Sequence, residues 1–201
     1  MNKQSIAVFG AEGEVSQSLI EEALKRGHSV TAIVTDRTEF KLRHPNLIIE
    51  CSKVKSSEVV SRFAKGHDSV IVFYELTPEN TDKYLNAMSA YLNGTKDSLA
   101  SHLIIISHSY TLNLGTLQHA FEVGKAIVQA EHSVLDLFRK ENELRWSYII
   151  RSEPEKVASD NEIQLNADVL VYHSQGEHRR KPKNFINELL SEVEKDVFKL
   201  Q

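Results

Sequence analysis

A serine, a histidine and a tyrosine stand almost side by side at Ser107, His108 and Tyr110, directly after the apolar run Leu103-Ile104-Ile105-Ile106. Hydroxyl and imidazole groups held together at the end of a buried strand can orient a carbonyl or similar acceptor and exchange a proton with it. A plain structural reading stands beside this one, because an imidazole in a loop commonly does no more than complete hydrogen bonds. The opening of the chain supplies a reactant for such a site. There Ser5-Ile6-Ala7-Val8-Phe9 runs into Gly10-Ala11-Glu12-Gly13-Glu14-Val15-Ser16, and then into a stretch with Val15, Leu19, Ala23 and Leu24 on one helical face. Strand, glycine turn and helix in that order open a dinucleotide-binding unit, whose helix amides and dipole attract a pyrophosphate.

Gly10, Ala11, Glu12, Gly13, Glu14 and Val15 are therefore the candidate cradle for an NAD(P) cofactor, with NAD and NADP both open. Two features count against it. Ser16 stands where a third glycine is usual, and Glu12 and Glu14 bring carboxylates to a place meant for phosphate. The glycines would serve equally in a strand-to-helix turn that binds nothing. A second candidate segment is Thr35-Asp36-Arg37, after the second strand. Asp36 falls about 20 residues past Gly13, where an acid takes the ribose hydroxyls, and Arg37 suits a 2′-phosphate instead. A surface ion pair accounts for the same two residues. A third segment, Phe73-Tyr74-Glu75, offers aromatic rings to the adenosine end of a cofactor or to the next helix.

These segments act together only if one sheet brings their ends to one edge. Short β-branched runs at 6–9, 29–34, 47–50, 69–73, 103–107 and 146–150 alternate with helical patterns at 15–26, 57–65, 80–93 and 119–140. Gly27, Gly66 and Gly94 follow three of these helices, and glycine accepts the left-handed conformation that closes a helix. Thr77-Pro78 reads as the cap and first position before 80–93. Alternation of this kind gives an α/β fold, a doubly wound parallel sheet with right-handed crossovers and helices on both faces. Ligands bind such sheets at the carboxyl ends of the strands. After Ile150 the pattern loosens: 151–166 is polar and without period, and a strand is expected near 168–172. The run His178-Arg179-Arg180-Lys181-Pro182-Lys183 reads as a solvated loop in preference to an anion patch. A final helix carries Phe185, Ile186, Leu189, Leu190, Val193 and Val197 on one face.

The 201 residues suffice for one domain, 1–201, with 151–201 forming the substrate side and last helix. A single cysteine, Cys51, excludes an internal disulfide framework and fits a reducing compartment. The net charge of −4 argues against nucleic acid as a partner. No basic-then-apolar leader opens the chain, and its apolar runs are too short to span a bilayer. The expectation is a cytoplasmic protein with a small-molecule substrate, no nucleic acid and no membrane, acting as a monomer or homodimer. The sequence has no G-x-S-x-G elbow, H-E-x-x-H helix or phosphate loop ending in Gly-Lys-Ser/Thr. Its nine histidines lack metal-ligand spacing, so no metal is expected.

The segments Ile6-Ala7-Val8-Phe9-Gly10-Ala11-Glu12-Gly13, Gly27-His28-Ser29-Val30-Thr31-Ala32-Ile33-Val34, Leu92-Asn93-Gly94-Thr95, 103–107 and Trp146-Ser147-Tyr148-Ile149-Ile150-Arg151 together resemble one family. It is the NmrA-like, NAD(P)H-binding group of atypical short-chain dehydrogenase/reductases, above all its small bacterial members of NADH-flavin reductase type. The resemblance runs to about Arg151 and more faintly beyond. It implies a Rossmann-type sheet, a nicotinamide dinucleotide at 10–15 and a small substrate over the strand ends. This chain departs from the family pattern G-A-T-G-x-x-G at Glu12 and Ser16, and has Thr35 where an arginine is common. His108-Ser109-Tyr110 replaces a small glycine-rich turn, and Ser152-Glu153 separate Arg151 from Pro154. Active members of the wider superfamily use a tyrosine and a lysine four apart on a helix. Here the nearest pair is Phe121 with Lys125, which has no hydroxyl. The resemblance implies an NAD(P)H-dependent reductase passing hydride to a small acceptor such as a flavin or quinone. Ser107, His108 and Tyr110 would face the nicotinamide, and Asp36 and Arg37 the adenosine ribose. The rival expectation is a non-catalytic NmrA-like redox sensor or interaction protein with a decayed cofactor site, which Glu12, Glu14, Ser16 and Phe121 favour.

Overall fold

Two apolar runs, Ser5–Phe9 (β1) and Ser29–Val34 (β2), lie parallel, with Ile6 beside Val30 and Phe9 beside Ile33. Between them Glu14–Lys25 (α1) lays Val15, Leu19, Ile20, Ala23 and Leu24 on the sheet, a spacing that puts all five on one face. The same unit recurs along the computed structural model, which describes residues 3–38, 40–109, 117–151, 155–159, 162–166, 169–173, 176–180 and 184–194. Leu47–Cys51 (β3), Ser57–Ala64 (α2), Ser69–Leu76 (β4), Thr81–Ser98 (α3), His102–Ser109 (β5), Leu117–Arg139 (α4) and Arg145–Arg151 (β6) complete the alternating part. Glu155–Ser159 (β7), Glu162–Asn166 (β8), Val169–His173 (β9), Gly176–Arg180 (β10) and Phe185–Glu194 (α5) follow.

The main sheet runs β10-β9-β6-β5-β4-β1-β2-β3, its six strands from β6 to β3 parallel and β9 and β10 antiparallel. Side chains of α1 and α5 join Ile6, Val8, Ala32 and Ile104 in one core, while α2, α3 and α4 join Ala7, Phe9, Val72 and Ile105 in the other. That is the two-sided covering expected of a parallel sheet. Because β1 pairs with both β2 and β4, the chain reverses its direction of winding there. The crevice at the carboxyl ends of β1 and β4 is thus the topological switch point.

Four expectations need correction. The third helix does not stop at Gly94: α3 continues to Ser98 and ends at Leu99, which takes φ 66° itself. Gly94 is there for packing, since a Cβ would lie 2.5 Å from both the Ser57 carbonyl oxygen and the Val60 Cβ of α2. The polar segment after Arg151 contains the hairpin β7–β8. His178, Arg179 and Arg180 belong to β10 and pair with β9 instead of forming a loop. Charged residues suit such an edge strand, where they discourage pairing with another chain. Finally, β4 extends through Tyr74 and Glu75, and β5 through His108 and Ser109, so these residues lie in strands. The expected positions Tyr110, Asp168, Lys181–Lys183 and Val197 fall outside the described residues.

One titratable side chain, half-buried beside β2, ties stability to pH. His67 Nε2 lies 2.8 Å from Thr31 Oγ1 on β2, and Nδ1 lies 3.3 Å from the Ala64 carbonyl oxygen. In the neutral ring Nδ1–H donates to Ala64 and Nε2 accepts from Thr31, whereas a protonated ring donates at both nitrogens. Burial lowers the imidazole from its ordinary 6.5, against the opposing pull of Ala64 and Asp68. The unfolded chain therefore takes up this proton first. The stabilisation is complete above 6.5 and is lost as pH falls through the lower folded value. His67→Gln is expected to flatten that acid-side fall, read from thermal midpoints between about pH 5 and pH 7.

Candidate functional site

Gly10 closes β1 with φ +70°, and a Cβ there would sit 2.3 Å from the carbonyl oxygen of Phe73 on β4. Only a residue without a side chain lets the two strand ends approach so closely. Ala11 N–H then reaches the Ile33 carbonyl oxygen at 3.4 Å, tying the loop to β2. Gly13 is the N-cap of α1 and brings no side chain to its first-turn amides. A Cβ at Gly13 would meet only Ser16 Oγ, at 3.5 Å, so packing does not demand this glycine. Its effect is to leave the positive end of a twelve-residue helix uncovered at the switch point. Ser16 fits without a third glycine because it is buried and its hydroxyl donates to the Gly13 carbonyl at 2.8 Å.

The two acids of the loop are placed differently. Glu12 turns sideways to the tip of β2, where its Oε1 accepts both the Thr35 N–H and the Thr35 hydroxyl, the latter at 2.7 Å. It does not lie over the α1 amides as the sequence suggested. Gln17 Nε2 holds the Glu12 carbonyl oxygen at 2.7 Å and fixes this turn of the loop. Glu14 is exposed in the first turn of α1, a position the helix dipole favours for a carboxylate. Asp36 is engaged in its own turn: Oδ1 accepts from Thr38 N–H at 2.8 Å and from Thr38 Oγ1 at 2.7 Å. Those bonds hold its carboxyl below the usual range. Among the described residues Asp36 and Arg37 form no ion pair with each other, although both are exposed.

At the other side of the crevice, strand alternation separates residues that sequence had grouped. Leu103 and Ile105 face the α2–α4 core and Ile104 and Ile106 face the α1–α5 core, so Ser107 points to the first and His108 to the second. Phe73 and Tyr74 divide in the same way. Ser107 is fully buried beside a pair that sequence reasoning missed, Tyr84 of α3 and Tyr148 of β6, whose hydroxyl oxygens are 2.6 Å apart. Ser107 lies near enough to affect the pair electrostatically without itself making a hydrogen bond of good geometry. Burial, reinforced by Glu131 of α4, raises both phenols well above their ordinary value, so neither is a base at neutral pH. The pair ties α3 to β6. Tyr148→Phe leaves the Tyr84 hydroxyl without this partner and is expected to cost about 1–2 kcal/mol in urea unfolding. Only the tyrosines' position within otherwise apolar buried faces signals such a pair in sequence. Half-buried His108 has Glu75 and Arg151 as its neighbours in register.

A parallel sheet wound in this order, with a glycine turn at its reversal and an open helix end above it, defines the dinucleotide-binding class of α/β protein. The model of the NAD(P)H-binding family matches residues 10–164, and the chain belongs to that family. YwnB of Bacillus subtilis (strain 168), an uncharacterized protein, is 28% identical over 107 residues, covering 53% of this chain and 48% of YwnB. The match thus spans about half of that relative's length. Two solved structures extend the likeness over nearly the whole chain. One is a Rossmann-fold NAD(P)-binding family protein from Shigella flexneri, with TM-score 0.62, 15% identity and coverage of 98% of this chain and 89% of that one. The other, from Streptococcus pneumoniae and provisionally named an NADH-flavin reductase, gives TM-score 0.59 at 20% identity, covering 96% and 93%. At these identities they establish the fold. Among the described residues no helix is long and apolar enough to cross a membrane.

Proposed function

We propose that this chain is an NAD(P)H-dependent reductase of the NmrA-like group, passing hydride to a small acceptor such as a flavin or quinone in a cytoplasmic setting. The observation that carries the reading is the contact of Gly10 with Phe73 at the switch point, beneath the uncapped start of α1. Glu12 through Val15 would hold the diphosphate by backbone N–H groups, with the helix dipole offsetting its charge. When bound, the reduced nicotinamide supplies the hydride, and the acceptor takes its proton from water. Phe73 and Tyr74 would bound the cofactor crevice. His108 and Tyr110 would orient the acceptor, and Ser107, buried in the α2–α4 layer, would position the end of β5.

Titration with NADH and with NADPH, followed by nicotinamide fluorescence, tests the binding half. Addition of FMN or a soluble quinone to the reduced complex then tests hydride transfer. Saturable binding with oxidation supports the reductase. A second reading, a non-catalytic redox sensor, is favoured by Phe121, which brings no hydroxyl to its spacing with Lys125. Binding without turnover on any acceptor would select it. Failure of both nucleotides to bind at about millimolar concentration, against an affinity threshold of roughly 4 kcal/mol, would sink the cofactor assignment altogether.

A further inference from the structure

We infer that Glu12, and not Asp36, reads the adenosine ribose, and that it makes this chain select NAD(H) over NADP(H). The inference rests on the cofactor reading above. In a dinucleotide fold the ribose hydroxyls come to the tip of the second strand, where an acid accepts them. The acid that sequence spacing assigns to this task, Asp36, has Oδ1 held within its own local turn by Thr38 and leaves Oδ2 open, so the Asp36→Asn arm of the test decides between the two acids. Glu12 reaches the same tip from the glycine loop, anchored through Oε1 by the backbone and side chain of Thr35. Its Oε2 has no partner among the described residues and is left to accept from a diol. Both groups that fix the carboxylate belong to Thr35, the residue directly after β2, so the acceptor is held before any ligand arrives. Tyr91 of α3, buried nearby, is raised by burial first and then by the charges of Tyr74 and Glu12, which adds no cation at this spot. Arg37, two residues past Thr35, is exposed with no ion-pair partner among the described residues. A 2′-phosphate would bring up to two negative charges against the fixed carboxylate, whereas a 2′-hydroxyl donates to it.

Affinities of NADH and NADPH, measured by nicotinamide fluorescence, and of ADP and 2′,5′-ADP, measured by displacement, give the test. The wild-type chain is expected to favour NADH and ADP at least about 10-fold, with the gap narrowing as salt rises. Glu12→Thr should reduce that ratio at least about 10-fold, mainly by tightening NADPH. Glu12→Gln keeps the shape and an oxygen for Thr35 while removing the charge, and should move the ratio in the same direction. Thermal midpoints of both variants identify any loss of fold. Asp36→Asn should leave the ratio unchanged. A wild-type preference for NADPH, equal affinity for the two, or a ratio that follows Asp36 and ignores Glu12 would each overturn the inference while leaving cofactor binding intact. Binding of neither nucleotide by wild type and variants would overturn both readings together.

Discussion

Gly10→Ala is expected to lower the thermal midpoint by roughly 5–15 °C and to abolish saturable dinucleotide binding. Two effects combine. A residue with a side chain held at φ +70° is strained by about 1–2 kcal/mol. Its Cβ would also lie 2.3 Å from the Phe73 carbonyl oxygen, and that atom belongs to the backbone of a central strand and cannot rotate aside. Overpacking of this kind adds about 1–3 kcal/mol and forces the loop off β4. Gly66→Ala isolates the first effect, because Gly66 has φ +82° and a methyl group added there would meet nothing within 4 Å. It should lose only about 1 kcal/mol and keep full affinity. Equal losses in the two variants would mean that the Gly10 contact with β4 does not shape the crevice.

Gly10 was legible in sequence as a glycine at the junction of a buried strand and an amphipathic helix, but its positive φ and its approach to Phe73 of β4 were not. The six parallel strands were legible too: β1, β4 and β5, covered on both faces, contain continuous apolar runs, and short β-branched runs between helical patterns marked the others. Residues grouped by adjacency fared worse. Ser107 and His108 are neighbours in the chain, yet β5 continues past them and alternation sends them to opposite layers. Glu12 looked like an obstacle to phosphate because its partner, Thr35, is remote in sequence and close only across the β1–β2 pair. The same limit hid Tyr84 and Tyr148, whose contact joins α3 to β6. After Arg151 the chain adds antiparallel pairs, β9–β10 to the sheet and β7–β8 as a separate hairpin. The apolar β9 matches the strand expected near 168–172, whereas the polar composition of β7, β8 and β10 resembled loop.

Gly94→Val carries the second large effect, about 3 kcal/mol of stability or roughly 6–12 °C in thermal midpoint. Gly94 has ordinary helical surroundings in α3, so a side chain there gains helix propensity, about 1 kcal/mol for alanine and less for valine. Against that gain, the Cβ would stand 2.5 Å from the Ser57 carbonyl oxygen and from Val60 Cβ, with Val60 Cγ1 at 2.8 Å. Val60 is fully buried, and the Ser57 oxygen belongs to the first turn of α2, so α2 must move away as a body. Gly94→Ala should lose less than Gly94→Val, since its propensity gain offsets part of the same clash. A helix-stop role would give a different signature: a loss of about 1 kcal/mol nearly independent of side-chain size. The true stop supplies the opposite sign. Leu99 is 91% exposed at φ 66°, so Leu99→Gly relieves left-handed strain without removing a packed side chain. It should raise the thermal midpoint by a few degrees, corresponding to about 1 kcal/mol. Stabilisation at Leu99 together with size-dependent loss at Gly94 places the helix end and the α2–α3 contact where the structure has them. A rise for neither, or a size-independent loss at Gly94, would return the helix end to Gly94.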